Sequence, residues 1–233
     1  MPAFPVPVRK ILPATPRTRI ISLDFSSTTF VFSAGQAVMV GLHGSLLRKP
    51  YSIASAPWEL QKTGQLQVLA QVDDTGTPDP HLELAESGTL LDVEGPFGSF
   101  GLPDDTRDGL LLVAGGTGIA PLRSMLVDRL SRPSGIPISL VYSARSPEEF
   151  AFRSELDALR AAGRIGAHFT VTRDQDGPWT GRRGRIDESL LREALPSTES
   201  HCLLCGPQTL VADTQQLLKK LGVPEDRIMT ERY

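Results

Sequence analysis

Hydrophobic and polar residues alternate along much of the first hundred residues of the chain. The alternation is clearest at residues 19–25, 36–40 and 66–72, and clusters of Gly, Pro, Ser and Asp separate these runs. A period of two is typical of β-strands that bury one face, and such clusters are typical of turns. The pattern predicts a small antiparallel barrel or sandwich in this part of the chain.

A different pattern begins after Gly101, where short apolar runs alternate with helical segments. This alternation predicts a parallel sheet covered by helices on both faces. The predicted strands are 110–114, 138–142, 168–172 and 201–205, and the predicted helices are about 121–130, 147–162, 188–194 and 208–221. A polar segment at 103–108 lies between the two patterns, so we expect a β domain at 1–102 and an α/β domain at 109–233.

Composition and charge exclude several classes of function. With 233 residues, 40% of them hydrophobic and 22% charged, the chain is typical of a globular protein. Its net charge of −3 offers no broad basic surface for nucleic acid. The proline-rich N-terminus lacks the apolar run of a signal peptide, and the most apolar stretch, 110–122, is too short to span a bilayer. We therefore expect no nucleic-acid or membrane partner and a cytoplasmic location.

The two cysteines, Cys202 and Cys205, have the C-x-x-C spacing of some disulfides and zinc sites. Both lie in a predicted strand, where residues three apart point to opposite faces, so a disulfide would require the strand to break. Zinc would need further ligands, and no histidine stands at a recognisable spacing. We therefore favour a strand without metal over a disulfide or zinc site.

The segment from Ala114 to Pro121, Ala-Gly-Gly-Thr-Gly-Ile-Ala-Pro, lies between a predicted strand and a predicted helix. Glycines allow the backbone to approach a pyrophosphate, and the N-terminus of a helix attracts anions. Pro121 fits the first helical position. The order of glycines differs from the G-x-G-x-x-G fingerprint, so a tight turn without a nucleotide is the alternative.

A second motif, Arg48-Lys49-Pro50-Tyr51-Ser52, brings cations, an aromatic ring and a hydroxyl together on a strand-like segment. Such groups can bind a phosphate, stack on a planar ring and hydrogen-bond a ring nitrogen. A surface strand without a ligand is the alternative. A third segment, 95–101, is rich in glycine and closes the predicted barrel.

These three segments and Cys205-Gly206-Pro207, in this order, resemble the ferredoxin–NADP reductase superfamily over essentially the whole chain. The resemblance implies an FAD-binding antiparallel β-barrel domain followed by a nicotinamide-binding α/β domain, with the flavin between them. It also implies hydride transfer between NADPH and FAD and single-electron transfer to or from a separate carrier such as a ferredoxin. FAD is favoured over FMN.

In the barrel domain, the resemblance assigns Tyr51 to packing on the flavin and Ser52 to a hydrogen bond near the flavin N5. The other positions assigned to the flavin are Arg48, Lys49, Pro50, Leu69, Ala70, Gln71, Gly76 and Thr77. Lys49 stands where the family usually has arginine, and lysine lacks the bidentate fork of a guanidinium. Asp79 stands where the family usually has serine or threonine. The substitutions at Lys49 and Asp79 both fall at positions that the resemblance assigns to flavin binding.

In the α/β domain, the resemblance places Thr117 where flavin and nicotinamide meet and Cys205 beside the nicotinamide C4. The other positions assigned to the dinucleotide there are Gly115, Gly116, Gly118, Gly206 and Pro207. The chain ends in Glu231-Arg232-Tyr233, as plant-type reductases end in glutamate, one residue and tyrosine. The resemblance implies that the ring of Tyr233 covers the flavin. The alternative is that Tyr233 is a frayed terminal aromatic without this role. Ser52, Cys205, Glu231 and Tyr233 form the predicted catalytic group.

The choice of nicotinamide depends on the residues after the second strand of the α/β domain, where NADH enzymes usually present a carboxylate. Arg145 stands at that place in this chain. Together with Arg173 and Arg185, it resembles the arginines that surround the 2′-phosphate in bacterial ferredoxin–NADP reductases. Arg182 and Arg183 are further candidates. The sequence therefore favours NADPH over NADH.

Two alternatives stay open at this point. One is an NADH-using reductase component of a multicomponent oxygenase, and the other is a non-catalytic flavin- or nucleotide-binding subunit of a larger complex. Two cysteines cannot hold a four-cysteine iron–sulfur cluster. The electron carrier is therefore expected to be a separate molecule.

Overall fold

Two six-stranded β-sheets organise the chain in its structure, a computed structural model that describes residues 3–72, 82, 85–133, 135–173 and 177–232. By their internal contacts, residues 1–102 and 123–132 form one compact unit, and residues 103–122 and 133–233 form the other. Each unit carries one of the sheets.

The sheet of the first unit is antiparallel and closes into a barrel. Its strands are β1 (Ala3–Thr15), β2 (Thr18–Asp24), β3 (Ala37–Leu42), β4 (Lys49–Ser52), β5 (Gln65–Gln71) and β6 (Leu90–Phe97), in the order β4-β3-β6-β1-β2-β5, and helix α1 (Pro57–Thr63) lies between β4 and β5 in the chain. Just after β4, Ile53 forms a bridge with Val68 of β5, and the N–H of Ala54 donates to the carbonyl oxygen of Gln67 at 2.8 Å. The predicted N-terminal antiparallel β-barrel is confirmed.

Alternate residues of the strands fill the interior of the barrel, as the period of two predicts. The residues with no exposed surface include pairs from three strands, which are Ile21 and Leu23, Val38 and Val40, and Leu91 and Val93. Burial of apolar side chains contributes about 1.5–3 kcal/mol for each Val, Leu or Ile. These pairs therefore make the barrel core.

Strand β1 contains three prolines and is not predicted from the sequence. Its first half, residues 3–7, pairs with β6, and its second half, residues 8–15, pairs with β2. The N–H of Val8 donates to the carbonyl oxygen of Thr89 at 2.8 Å. Because successive strand residues direct their N–H groups to opposite sides, Pro5 and Pro7 stand where an N–H would point away from β6. Their missing donors therefore cost no bond to β6.

The sheet of the second unit is parallel. Its strands are β7 (Leu110–Gly115), β8 (Ile138–Ala144), β9 (Gly166–Val171), β10 (Arg182–Arg183), β11 (His201–Gly206) and β12 (Ile228–Arg232), in the order β10-β9-β8-β7-β11-β12. The helices are α2 (Ile119–Leu130), of which residues 123–130 cluster with the first unit, α3 (Arg153–Ala161), α4 (Glu188–Ala194) and α5 (Gln208–Lys220). The predicted parallel α/β fold is confirmed.

The strand order reverses beside β7. The chain proceeds from β7 through β8 and β9 in one direction and then returns to the other side of β7 with β11. The carboxyl ends of β7 and β11 lie next to each other, with Ala114 paired to Cys205. In open parallel sheets, ligands bind outside the carboxyl ends of the strands at such a reversal. The fold therefore indicates a ligand-binding site at the glycine-rich segment after β7.

Two predicted helices differ from the structure at their N-terminal ends. Helix α2 begins at Ile119, after a 3₁₀ turn at Gly116–Gly118, so Pro121 is the third helical residue and not the first. Proline is tolerated there because the N–H groups of the first helical turn have no intrahelical partner. The helix predicted at 147–162 is a 3₁₀ turn at Pro147–Glu149 followed by α3, and Phe152 has a φ of +58° between them.

Arg123, which is 6% exposed, crosslinks two segments of the first unit. Its guanidinium binds the carboxylate of Glu59 through two hydrogen bonds, of 2.9 and 3.1 Å, and donates to the carbonyl oxygen of Ala54 at 2.8 Å. Glu59 in turn accepts the N–H of Ala56 at 2.7 Å. Bidentate arginine–carboxylate pairs with further hydrogen bonds are among the stronger polar contacts in proteins. The pair therefore fixes the chain between β4 and α1.

We expect Arg123→Ala to lower the free energy of unfolding by about 3 kcal/mol, because it leaves the mostly buried Glu59 carboxylate without its partner. Urea unfolding followed by circular dichroism measures the loss. The matched control in the same unit is Arg9→Ala, since Arg9 is 63% exposed and lies 3.4 Å from Asp24. Its effect should stay below about 1 kcal/mol. Equal losses in the two variants would contradict a structural role for Arg123.

Candidate active site

The glycine-rich turn after β7 is in direct backbone contact with the end of β11. A Cβ atom on Gly118 would lie 2.2 Å from the carbonyl oxygen of Cys205, and one on Gly206 would lie 3.0 Å from the Cα of Gly115. A Cβ atom on Gly115 would lie 2.7 Å from the side chain of Leu210. Side chains at Gly115 and Gly118 would therefore force the two segments apart.

This turn fits a pyrophosphate. Gly116 is exposed and has a φ of +54°, which favours glycine, and Thr117 is half-buried. Both residues directly precede the first turn of α2. The free N–H groups and the dipole at a helix N-terminus attract an anion. The local geometry therefore suits the role that the sequence analysis assigns to the turn.

Tyr142 supports the same turn, and the sequence analysis missed it as a site residue. Its side chain is completely buried at β8. The hydroxyl donates to the carbonyl oxygen of Gly116 at 2.9 Å and accepts the N–H of Ala151 at 3.3 Å. A buried tyrosine hydroxyl needs such partners. A polar aromatic near the carboxyl end of a buried strand is the signal that could have identified it.

Cys205 and Glu231 are neighbours in the sheet. They pair across β11 and β12, and the Cys205 thiol donates to Glu231 Oε2 at 3.7 Å. Burial, and then the negative charge of Glu231, raises the pKa of the Cys205 thiol far above its usual range. Burial also raises the pKa of Cys202, and both cysteines are free. Cys205 is therefore a neutral hydrogen-bond donor at physiological pH.

In the first unit, β4 carries the predicted flavin-binding motif. Lys49 and Pro50 are exposed, whereas Tyr51 and Ser52 are half-buried. Tyr51 pairs with Val38 of β3 and packs against the barrel core. Within one strand, β4 thus combines an aromatic ring, a hydroxyl and a cation, which are groups that suit a flavin and its phosphate.

Arg48, the first residue of that motif, is engaged by carboxylates. It lies 2.5 Å from Glu94 and 3.1 Å from Asp92, and Asp92 is also bound by His43 at 2.7 Å. These partners are 44 or more residues away in the chain, so the sequence did not indicate them. Because the charge of Arg48 is balanced internally, the exposed Lys49 is the better candidate for a phosphate contact.

The remaining positions assigned to the flavin are only partly described. Leu69 and Ala70 are buried in β5, and Gln71 at its end is exposed. Other assigned positions lie outside the described residues, and these are Gly76, Thr77, Tyr233 and the divergent Asp79.

The arginines predicted at the 2′-phosphate come together at the carboxyl edge of the sheet. The N–H of Arg173 donates to the carbonyl oxygen of Arg145 at 2.8 Å. The N–H of Gly184 donates to the carbonyl oxygen of Val171 at 2.8 Å, which holds the segment 182–185 against the end of β9. Arg173 and Arg185 are exposed, and Arg145 is half-buried. The backbone therefore brings these three residues to neighbouring strand ends.

Arg185 lies 3.8 Å from Asp213, with both side chains mostly exposed, whereas Arg182 is paired with a carboxylate much more closely. One of its guanidinium nitrogens lies 2.6 Å from each carboxylate oxygen of Asp187. Asp187 also accepts the N–H of Leu190 at 2.9 Å and caps α4. The hydrogen bond from Leu190, followed by that from Arg182, lowers the pKa of Asp187, so the carboxylate is ionised. Arg182 thus stabilises the start of α4, which argues against a direct role in phosphate binding.

Two family models match the two parts of the chain. An oxidoreductase FAD-binding domain matches residues 6–101, and an oxidoreductase NAD-binding domain matches residues 112–216. With the barrel, the parallel sheet and the glycine-rich turn, these matches define the class as a flavin- and nicotinamide-dependent oxidoreductase. Its cofactors are FAD and a nicotinamide dinucleotide.

Individual relatives narrow the class to a family. Ferredoxin–NADP reductase B of Sorangium cellulosum is 32% identical over 96% of this chain and 94% of its own length. The glycine betaine monooxygenase reductase subunit of Chromohalobacter salexigens is 30% identical over 83% of this chain and 54% of its own length. The crystal structure of a cytochrome P450 reductase from Amycolatopsis shares the fold, with a TM-score of 0.85 and 22% identity over 99% of this chain and 69% of that chain. The chain belongs to the ferredoxin–NADP reductase superfamily.

Within the described residues, no helix has the length and apolar character needed to cross a membrane. The same part of the chain holds no group of three or more His, Cys, Asp or Glu arranged to bind a metal ion.

In the native protein, we expect both thiols to react with iodoacetamide at about pH 8 more slowly than an exposed cysteine. The thiolate is the reactive form, and burial raises the pKa of both thiols. After unfolding in urea, both should react. Mass spectrometry of the alkylated protein counts the modified cysteines. Fast alkylation of either thiol in the native protein would contradict this account of their environment.

Proposed function

We propose that the chain is an NADPH-dependent reductase that holds FAD on its barrel unit and exchanges single electrons with a separate carrier such as a ferredoxin. The observation that carries the proposal is the backbone contact between the glycine-rich turn and Cys205-Gly206, where the strand order reverses. A dinucleotide site is expected at this place in a parallel sheet. The similarity to a ferredoxin–NADP reductase over nearly the whole chain supports the same conclusion.

On the barrel unit, we assign Tyr51 to stacking on the flavin ring and Ser52 to a hydrogen bond with it. Lys49 is assigned to the flavin phosphates, since it is exposed and Arg48 is paired. When bound, a flavin accepts a hydride from nicotinamide and releases electrons one at a time. The protein holds the flavin ring in place and excludes water from it.

On the α/β unit, we assign the turn from Gly115 to Gly118 to the pyrophosphate. Cys205 is assigned to the nicotinamide ring, where a neutral thiol offers a polarizable contact without a competing charge. Glu231 orients that thiol through their hydrogen bond. Tyr233 is assigned to cover the flavin until the nicotinamide replaces its ring.

The arginines at the sheet edge support NADPH over NADH. No carboxylate stands directly after β8, where Ser146 follows Arg145. Arg145, Arg173 and Arg185 instead offer positive charge for a 2′-phosphate. Each arginine–phosphate contact is worth roughly 1.5–3 kcal/mol, or about tenfold to a hundredfold in affinity.

A second candidate function is the reductase component of an oxygenase. The similarity to the reductase subunit of glycine betaine monooxygenase favours this candidate, although the chain spans about half of that protein. Reduction rates with a ferredoxin and with an oxygenase component as electron acceptors would separate the two functions. The cytoplasmic location stays a prediction, which cell fractionation would test.

We expect the purified protein to be yellow and to release FAD on denaturation. Its flavin absorbance should bleach when NADPH is added without oxygen, and more slowly with NADH. Absorbance spectra and chromatography of the released cofactor measure both properties. Colourless protein that takes up neither FAD nor FMN would sink the proposal. A flavin that neither coenzyme reduces would favour the non-catalytic subunit.

We expect Arg173→Ala to lower kcat/KM for NADPH by about tenfold to a hundredfold and for NADH by less than about twofold. The loss arises because the 2′-phosphate, present only in NADPH, would lose a charged partner. Arg192→Ala is the control, since Arg192 is 68% exposed on α4 and pairs with Glu188. Equal losses for the two coenzymes would remove Arg173 from the 2′-phosphate site.

A further inference from the structure

Residues 177–182 fold around the indole ring of Trp179. The indole Nε1 donates to the carbonyl oxygen of Arg182 at 2.9 Å. A Cβ atom on Gly181 would lie 2.4 Å from the ring, so the indole packs directly against the backbone of that residue. Trp179 therefore contacts Arg182, the first residue of the arginine-bearing segment 182–185, and Gly181 directly before it.

Trp179 also belongs to an aromatic cluster that is anchored in the sheet. Its ring centroid lies 5.7 Å from that of Phe150, which lies 5.1 Å from Phe169 of β9 and 5.0 Å from Tyr142 of β8. Phe150 and Phe169 are 3% and 6% exposed. Aromatic pairs at these distances pack favourably. The cluster thus gives Trp179 a rigid base.

Arg153 completes the cluster with its cation. Its guanidinium carbon lies 3.9 Å from the ring centroid of Phe169 and 5.2 Å from that of Trp179. Its Nε donates to Asp157 at 2.7 Å, which orients the group along α3. A guanidinium over aromatic faces is attracted by the ring quadrupoles. Arg153 therefore joins Trp179 to the ring of Phe169.

Apart from Trp179, the segment 182–185 is attached to the sheet by a short ladder and by Gly184, whose N–H donates to the carbonyl oxygen of Val171 at 2.8 Å. Strand β10 consists of Arg182 and Arg183, which pair with Thr170 and Val171. The Thr170 hydroxyl donates to the carbonyl oxygen of Gly184 at 2.7 Å. A strand of two residues offers little ladder stabilisation of its own. Trp179 adds a contact outside this ladder, at the first residue of the segment that carries Arg185.

The same cluster reaches the pyrophosphate-binding turn. Tyr142 packs on Phe150 and donates its hydroxyl hydrogen to the carbonyl oxygen of Gly116. One set of packed rings therefore touches the glycine-rich turn through Tyr142 and the arginine-bearing segment through Trp179. The spacing between these two binding elements is set by side chains that need not contact a nucleotide.

We propose that Trp179 is a positioning residue for coenzyme specificity, which holds the segment 182–185 so that Arg185 and its neighbours face the 2′-phosphate. This inference rests on the proposed NADPH function. Trp179 acts through the backbone of Arg182 and not through the coenzyme. Its removal therefore changes the recognition of the phosphate and leaves the pyrophosphate and nicotinamide contacts in place.

The test compares NADP⁺ and NAD⁺ affinities of the flavin-loaded protein by titration calorimetry. Trp179→Phe keeps a ring on Phe150 but removes the indole N–H. One hydrogen bond is worth about threefold to tenfold in affinity. The dissociation constant for NADP⁺ should therefore rise about threefold to tenfold, and that for NAD⁺ by less than about twofold. The unchanged NAD⁺ affinity also reports that the variant is folded.

Trp58→Phe is the matched control, because Trp58 is the other tryptophan of the chain and its indole donates to the carbonyl oxygen of Val127 in the first unit. It should leave the ratio of the two affinities unchanged. In this variant Trp179 is the sole tryptophan, so its fluorescence should shift when adenosine 2′,5′-bisphosphate binds.

The possible outcomes distinguish the proposed NADPH function from the positioning role of Trp179. A wild-type protein that binds NADP⁺ and NAD⁺ equally would overturn the proposed NADPH function. A wild-type protein that prefers NADP⁺, with a Trp179→Phe variant that loses both affinities equally or neither, would overturn the positioning role and leave the function standing. A selective loss of NADP⁺ affinity in Trp179→Phe supports the inference.

Discussion

The close contact between two backbone segments of the α/β unit is the constraint on which its binding site depends. Gly118 lies so near the carbonyl group of Cys205 that a Cβ atom would stand 2.2 Å from the oxygen. Because β7 and β11 are hydrogen-bonded neighbours, this contact fixes the turn against the end of β11. The 3₁₀ turn at Gly116–Gly118 and the start of α2 therefore follow directly from the carboxyl edge of the sheet, and the dipole at a helix N-terminus attracts an anion.

The environment of the Cys205 thiol is set by burial and by Glu231. Burial, followed by the charge of Glu231, raises the pKa of the thiol and keeps it protonated as the donor in their hydrogen bond. The pairing of β11 with β12 places Glu231 beside Cys205, two residues that the resemblance puts in one catalytic group. From the other side, Tyr142 bonds to the carbonyl oxygen of Gly116. The turn is thus held by β11 and by β8.

Local sequence patterns predicted β2, β3 and β5 of the barrel and β7, β8, β9 and β11 of the parallel sheet, because the periodicity of apolar residues reflects burial directly. They gave no strand at β6, β10 or β12. They were not enough for β1, whose prolines obscure a strand that changes partners halfway along its length. They also missed Tyr142, whose hydroxyl binds the carbonyl oxygen of Gly116, and Trp179, whose ring packs on Phe150, because both partners are distant in the sequence. Motifs with a fixed spacing, such as the glycine-rich turn, could be found from the sequence because their geometry is local.

Charge illustrates why the candidate site was harder to predict than the fold. Arg48 and Arg182 look like phosphate ligands in the sequence, yet the structure pairs them with Glu94 and Asp187. A cation with a fixed carboxylate partner has little attraction left for a phosphate, and breaking the pair would cost part of any binding energy. Arg173 is exposed at the sheet edge and carries a charge that a coenzyme can use. The fold thus pairs some of these arginines with carboxylates and leaves Arg173 exposed, so the number of arginines in the sequence does not by itself give the charge available at the sheet edge.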